Sequence, residues 1–146
     1  MTVSARCNYA LRAVYALAEH GGASPLKAGE IAERQHIPIK FLEAILGQLK
    51  GGGFVRSRRG ADGGYRLAVA PEDLTIGAII RFIDGPAEST DRPRPKPRGD
   101  APPNPFEGFW ERVDRAVSEV VDETTFADMV RENQELSRSR GADWII

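Results

Sequence analysis

Basic side chains are the groups in this sequence whose type and spacing are best suited to binding a partner. The largest group lies within residues 40–66 and consists of Lys40, Lys50, Arg56, Arg58, Arg59 and Arg66. Guanidinium and ammonium groups donate hydrogen bonds to phosphate oxygens. Residues 1–70 hold 10 Lys and Arg against 5 Asp and Glu, whereas residues 71–146 hold 10 against 16. The net charge of -1 therefore conceals a basic N-terminal half, which favours a polyanionic partner.

Groups suited to catalysis or metal binding are few. The chain has one cysteine, Cys7, and two histidines, His20 and His36. Cys7 and His20 are 13 residues apart on one predicted helix, a span of about 20 Å that is too long for a catalytic pair within one chain. We therefore predict neither an enzyme nor an intrinsic metal site. For Cys7, packing in the core is favoured over a redox role, which stays the alternative.

The first 70 residues have the pattern of three helices followed by a β-hairpin. Apolar residues at three- and four-residue steps predict the helices, and Ile37-Pro38 breaks the pattern between the second and the third. Glycines at 60, 63 and 64 predict a tight turn between two strands. The predicted helices are 3–20, 27–35 and 38–50, and the strands are 54–58 and 65–69. This order is that of a winged helix-turn-helix, in which the hairpin is the wing.

The third predicted helix has one apolar face and one face available to a partner. The positions predicted to pack inward are Leu42, Ile45, Leu46 and Leu49. The positions on the other face include Lys40, Phe41, Glu43 and Ala44.

The C-terminal half predicts a short helix, a linker and a long helix with an apolar seam. Thr75 can cap a helix, and seven of the ten prolines fall within 86–105, which excludes regular structure there. A capping box, Thr125 with Asp128, starts a last helix. The seam over 106–123 consists of Trp110, Val113, Val117, Val120 and Val121. Because the linker separates this seam from the head, the pattern favours a homodimer over an intramolecular partner.

These elements predict a mainly α (α+β) fold. The predicted parts are a winged helix-turn-helix head at 1–85, a proline-rich linker and effector-loop region at 86–105, a dimerisation helix and a last helix at 106–136, and a tail at 137–146. No apolar run approaches the roughly 20 residues that cross a bilayer, and the N-terminus has no secretory pattern. We expect a cytoplasmic protein with no membrane partner.

Six short motifs, in order, resemble the Rrf-type (BadM-like) family. They are Arg6–Ala13, Ile31–Arg34, Phe41–Glu43, Leu49–Lys50, Arg59–Gly60 with Gly63–Tyr65, and Thr124–Met129. Each motif is weak alone, but their order is specific, and the similarity covers most of residues 1–136. The resemblance implies a homodimeric bacterial winged-helix transcription factor.

The resemblance also implies roles for single residues. In the family the recognition helix enters the major groove of DNA, and a wing arginine enters the adjoining minor groove. Glutamate can accept a hydrogen bond from cytosine, and a narrow minor groove attracts guanidinium. By resemblance, Lys40, Phe41, Glu43 and Ala44 would face base edges, Arg59 would probe the minor groove, and Lys40, Lys50, Arg56, Arg58 and Arg66 would contact phosphates.

Two departures from the family pattern affect the prediction. Cluster-bearing members hold three cysteines before the dimer helix, whereas residues 86–105 contain none. Without thiolates we expect no iron-sulfur cluster. Asp62 stands in the wing turn, where relatives often have glycine, and places a negative charge near a loop predicted to face phosphate.

The sequence therefore predicts a sequence-specific DNA-binding transcription regulator. In our interpretation it is a repressor that binds a palindromic operator as a homodimer. A winged-helix module that binds another protein instead of DNA is the alternative, favoured by the acidic C-terminal half and Asp62. The sequence is compatible with four kinds of regulation: by a small molecule, by a partner protein, by oxidation of Cys7, or by no effector at all.

Overall fold

The computed structural model of the chain describes residues 2–86 and 99–143, with side chains as far as residue 141. Within these residues the chain forms six helices and one two-stranded antiparallel sheet. The elements are α1 (Ala5–His20), α2 (Ala28–Gln35), α3 (Ile39–Gly51), β1 (Val55–Arg58), β2 (Gly64–Leu67), α4 (Ile76–Asp84), α5 (Glu107–Glu123) and α6 (Phe126–Asp143). The fold is mainly α with a small sheet, as predicted. None of the helices in the described ranges is long and apolar enough to cross a membrane.

Both predicted helix caps of the C-terminal half are present. The backbone N–H of Ala78 donates to Thr75 Oγ1 at 3.2 Å, which starts α4. At the start of α6, Asp128 N donates to Thr125 Oγ1 at 3.1 Å, and Thr125 N donates to Asp128 Oδ2 at 2.9 Å. This capping box lowers the pKa of the Asp128 carboxyl, chiefly through the backbone hydrogen bond from Thr125.

A residue in the left-handed region separates α2 from α3. His36 has φ of 52°, and the next residue, Ile37, turns inward with 4% of its surface exposed. Ile37 N donates to Ala32 O at 3.0 Å, which closes the end of α2. Pro38 then adopts extended backbone and starts α3. The break predicted at Ile37-Pro38 therefore produces the short turn that sets α3 against α2.

The core lies where α1 packs on α2, α3 and α4. The alanines of α1 at positions 10, 13 and 16 are fully or almost fully buried, which lets the neighbouring helices approach closely. The four positions predicted to pack inward from α3 are all buried: Leu42, Ile45, Leu46 and Leu49. The outer face of α3 is therefore turned away from the core.

The junction between α5 and α6 is fastened to the head. Phe126 is 1% exposed and inserts into the head core, and its N–H donates to Leu74 O at 2.9 Å. Thr75 and Thr125 form an isolated antiparallel bridge beside it. Thus the C-terminal end of α5 has a fixed position on the head.

An ion pair adds a second contact between the head and α5. The two terminal nitrogens of the Arg81 guanidinium on α4, Nη1 and Nη2, both donate to the carboxylate of Asp122. The distance from Nη2 to Oδ2 is 2.7 Å. The guanidinium lowers the pKa of the Asp122 carboxyl. A Cβ at Gly77 would meet the ends of the Asp122 and Arg81 side chains, so a larger residue there would displace this ion pair.

One predicted boundary differs from the structure. Helix α6 continues to Asp143, past residue 136, so residues 137–143 are helical and not the tail that the sequence predicted. The Ser and Arg residues of this stretch are compatible with an exposed helix, and polar residues alone do not end a helix. The predicted linker at 86–105 falls largely, and the end of the tail at 144–146 wholly, outside the described residues.

Removing the Phe126 ring tests this attachment. We expect Phe126→Ala to lower the free energy of unfolding by about 3–5 kcal/mol, because it leaves a cavity in the head core. Urea unfolding followed by circular dichroism measures this change. Leu136→Ala is the matched control on the same helix, because Leu136 is 53% exposed; its effect should stay within about 0.5 kcal/mol. Equal effects of the two variants would contradict the attachment.

Candidate nucleic-acid interface

The outer face of α3 presents the predicted readout residues together. Lys40, Phe41, Glu43 and Ala44 are all exposed, and Phe41 has 59% of its surface accessible. Their spacing follows from the inward packing of Leu42 and Ile45, because residues between the apolar positions of a helix must project outward. The structure therefore brings these four residues onto one accessible surface.

The wing has an apolar face and a cationic face. Val55 lies opposite Leu67, and Arg56 lies opposite Arg66. Because side chains alternate along a strand, Arg58 shares the face of Arg56, whereas Val55 is buried against the head. The cationic face, which consists of Arg56, Arg58 and Arg66, therefore points away from the core.

The charges of this cationic face are not neutralised by the part of the chain that the structure describes. Arg56 and Arg66 are directly opposite on neighbouring strands, where like charges destabilise the pair. The ion pairs found between described residues involve Arg81 and Arg131 and not the wing. A polyanion that approached this face would relieve the repulsion.

A glycine-rich turn carries Arg59 to the tip of the wing. Gly60 has φ of 107°, and Gly63 N donates to Gly60 O at 3.0 Å. A Cβ at Gly63 would lie 2.1 Å from Arg58 O, so the turn can close only with glycine there. Arg59 and Asp62 are both exposed on this turn. The acidic side chain thus sits at the tip beside the predicted minor-groove probe.

A backbone bridge that the sequence analysis did not find ties the wing to the helices. Leu26 N donates to Tyr65 O at 2.9 Å, and Tyr65 N donates to Leu26 O at 2.7 Å. Gly64 permits this approach, because a Cβ there would lie 2.6 Å from Leu26 O. The one available signal was Leu26 itself, a single apolar residue before α2. The bridge holds the wing in a fixed position relative to α2 and α3.

Lys50 and Arg66 complete the group of predicted phosphate contacts. Lys50 is exposed on the last turn of α3, and Arg66 is half-buried on β2. Lys50 therefore stands near the point where the chain leaves α3 for the wing. The predicted phosphate contacts therefore lie on α3 and on the hairpin that follows it.

The predicted seam of α5 is not covered within the described chain. No residue of α5 is buried, and Val120 is 64% exposed. Val113, Val117 and Val121 are half-buried, and Trp110 is 39% exposed. Within the described ranges, α5 therefore presents a partly exposed apolar side over 17 residues.

Cys7 lies inside the head, away from this interface. Its side chain is fully buried, and its N–H donates to Ser4 Oγ at 3.0 Å in the cap of α1. Burial, followed by the nearby Asp84 carboxylate, raises the pKa of the thiol to about 11. A protonated, buried thiol is a poor nucleophile, so the geometry favours packing over a redox role.

Comparison with known proteins identifies the class of this chain. The model of the Rrf2 family, described as "Iron-dependent Transcriptional regulator", matches residues 3–132. Because the match spans most of the chain, the protein belongs to the Rrf2 family of transcriptional regulators. It is therefore a DNA-binding regulator and not an enzyme, and the resemblance given by the sequence motifs is confirmed.

Individual relatives agree with this assignment. The chain is 34% identical over 132 residues to the HTH-type transcriptional regulator CymR of Bacillus subtilis, covering 88% of this chain and 89% of that one. The solved structure of CymR, the global cysteine regulator of B. subtilis, matches with a TM-score of 0.78 and 32% identity. The match covers 90% of this chain and 98% of that chain. The solved structure of T. potens IscR matches with a TM-score of 0.75 and 34% identity. The match covers 93% of this chain and 90% of that chain.

The residues of this chain do not fit an iron-sulfur cluster, although the family description names iron. Such clusters are held mainly by cysteine thiolates, and the sequence has one cysteine. That residue, Cys7, is buried in α1 with a raised pKa. Across 2–86 and 99–143, no group of three or more His, Cys, Asp and Glu side chains is placed to hold a metal ion. The described residues therefore offer no ligand set for such a cluster.

The like-charge pair of the wing predicts a gain in stability when one charge is removed. We expect Arg56→Gln to raise the free energy of unfolding by about 0.2–1 kcal/mol at low salt. The gain should vanish in 1 M salt, where the Debye length falls to about 3 Å. Arg56→Lys keeps the charge and should show no gain. A gain that persists in 1 M salt, measured by urea unfolding, would argue against repulsion.

The burial of Cys7 predicts slow alkylation. At pH 8 the native thiol should react with iodoacetamide at least about a hundredfold more slowly than in urea, because its pKa of about 11 lies two units above the ordinary value of 9.0. Mass spectrometry over a time course measures both rates. Equal rates in the native and unfolded protein would show an accessible thiolate and restore a redox role.

Proposed function

We propose that this protein is a sequence-specific transcription repressor that binds a palindromic operator as a homodimer. The observation that carries the proposal is the outer face of α3 beside a rigid wing whose guanidinium groups have no carboxylate partners among the described residues. Helix-turn-helix proteins place such a helix in the major groove. Repression is proposed because a compact dimer on a promoter excludes polymerase by occupancy alone.

The outer face of α3 offers complementary chemistry to base edges. Lys40 can donate to the guanine acceptors, and Glu43 can accept from the cytosine amino group. Phe41 and Ala44 are apolar and exposed, which suits contact with the thymine methyl group. The four side chains therefore provide a donor, an acceptor and two apolar contacts, enough to distinguish base pairs in the major groove.

The cations around this face are proposed to position it. Lys50, Arg56, Arg58 and Arg66 would contact phosphates, which fix the register of the protein on the duplex without reading sequence. Arg59, at the exposed tip of the wing, would enter the neighbouring minor groove, where the negative potential is strongest when the groove is narrow. The Leu26–Tyr65 bridge supports this role because it fixes the wing relative to α3.

The uncovered side of α5 supports the homodimer. Two copies of the helix that meet through a two-fold axis would bury the seam of Trp110, Val113, Val117, Val120 and Val121 against itself. Because the head is fastened to α5, the same axis would relate two recognition helices. The operator should then contain two inverted half-sites about 34 Å apart, or a multiple of that distance.

We propose that regulation proceeds without an iron-sulfur cluster, because the residues for one are lacking. A visible absorption band in the protein purified without oxygen would contradict this part of the proposal.

The minor-groove role predicts the effect of removing the Arg59 side chain. We expect Arg59→Ala to weaken binding to the operator about tenfold or more, while the oligomeric state and the thermal midpoint stay unchanged. The operator is the duplex that the wild-type protein enriches from a random-sequence pool, and affinity is measured by fluorescence anisotropy. Arg138→Ala, at an exposed position of α6, is the control. Unchanged operator affinity in Arg59→Ala would remove this role.

The dimer role predicts the effect of a charge placed in the seam. We expect Val120→Asp to convert a dimer into a monomer in sedimentation equilibrium, because a carboxylate would be buried without a partner. Operator affinity should fall about a hundredfold, since the two half-sites would be bound independently. Arg115→Asp, on the opposite side of α5, should leave both properties unchanged. A wild-type protein that sediments as a monomer would contradict the proposal.

A further inference from the structure

Three side chains from α1 and α3 form a stack at the edge of the readout face. The ring of Tyr9 lies parallel to the ring of Phe41, with 6.3 Å between centroids and 21° between planes. On α1, the guanidinium carbon of Arg12 lies 5.9 Å from the centroid of Tyr9. The Arg12–Tyr9–Phe41 stack therefore links the first helix of the head to a residue proposed to contact bases.

The stack gives the Phe41 ring a defined orientation. Phe41 is 59% exposed, so few neighbours pack against its ring. Tyr9 is half-buried and packs against the core, which fixes its ring. A parallel, offset arrangement at this distance is a favoured geometry for aromatic rings. Contact with Tyr9, which packs against the core, therefore limits the positions that the Phe41 ring can adopt.

Arg12 contributes a positive charge at the same edge. It lies three residues after Tyr9 on α1 and therefore on the same side of that helix. It is half-buried, and the ion pairs found within the described ranges do not include it. A guanidinium held over an aromatic ring keeps its donors available to a phosphate.

We propose that α1 is a further part of the DNA-reading surface, in which Tyr9 is a positioning residue that holds Phe41 against a thymine methyl group and Arg12 contacts an adjacent phosphate. This inference rests on the proposed function, because it needs α3 in the major groove. It assigns to α1 a role in specificity, in addition to its place in the core.

The proposal is tested with the operator duplex enriched by the wild-type protein and with copies in which single thymines are replaced by deoxyuridine. Each replacement removes one methyl group. At the thymine that Phe41 meets, the wild-type protein should lose about fourfold in affinity, the value expected for burial of one methyl. Tyr9→Phe keeps the ring and should retain this discrimination. Tyr9→Leu and Phe41→Ala should both abolish it.

A double variant separates positioning from general damage to the fold. If Tyr9 acts through Phe41, adding Tyr9→Leu to Phe41→Ala should cause no further loss of affinity for the operator. Affinity for a scrambled duplex should be the same for Tyr9→Leu and the wild type, which a misfolded head would not show. Arg12→Gln removes one proposed phosphate contact and should make the slope of log affinity against log salt less negative by about 1.

Failure of the Tyr9 and Arg12 roles can be told apart from failure of the proposed function. If the wild-type protein enriches an operator and Tyr9→Leu discriminates thymine from deoxyuridine equally well, the role of Tyr9 is wrong and the proposed function stands. An unchanged salt slope in Arg12→Gln overturns the phosphate contact. If the wild-type protein enriches no sequence from the pool, the proposed function and the stack both fail.

Discussion

The concentration of positive charge on the wing is the constraint on which the rest of the structure depends. Arg56 and Arg66 face each other across the two strands, and Arg58 stands on the same side. This repulsion costs the hairpin about 0.2–1 kcal/mol. Val55 anchors one strand in the core, and the Leu26 bridge holds the other. The scaffold therefore keeps an unfavourable charge arrangement in place, ready for an anionic partner.

The same scaffold extends from the wing to the long helix. Phe126 fills the head core, and Arg81 holds Asp122 at the end of α5. A dimer formed through α5 would thus set the distance between two recognition helices with few adjustable joints. An effector that altered this junction would change the spacing of the half-sites, which is a direct route from a signal to operator affinity.

The sequence predicted those features that depend on local patterns. Apolar spacing gave the helices and the outward position of Phe41, and glycines gave the wing turn. It did not predict the Leu26–Tyr65 bridge or the Tyr9–Phe41 stack, because each joins segments that are distant along the chain and carries no periodic signal. The continuation of α6 past residue 136 was missed because its exposed polar residues are compatible with both a helix and a tail.

The salt dependence of duplex binding by the wild-type protein tests the central claim most directly. Because phosphate contacts release counterions, log affinity should fall linearly with log salt, with a slope near −0.9 for each phosphate contacted. The four phosphate contacts proposed for each head predict a slope of about −3.6 for one head and about −7 for the dimer. A slope near zero would contradict the account, since it would mean that the cationic face of the wing does not meet DNA.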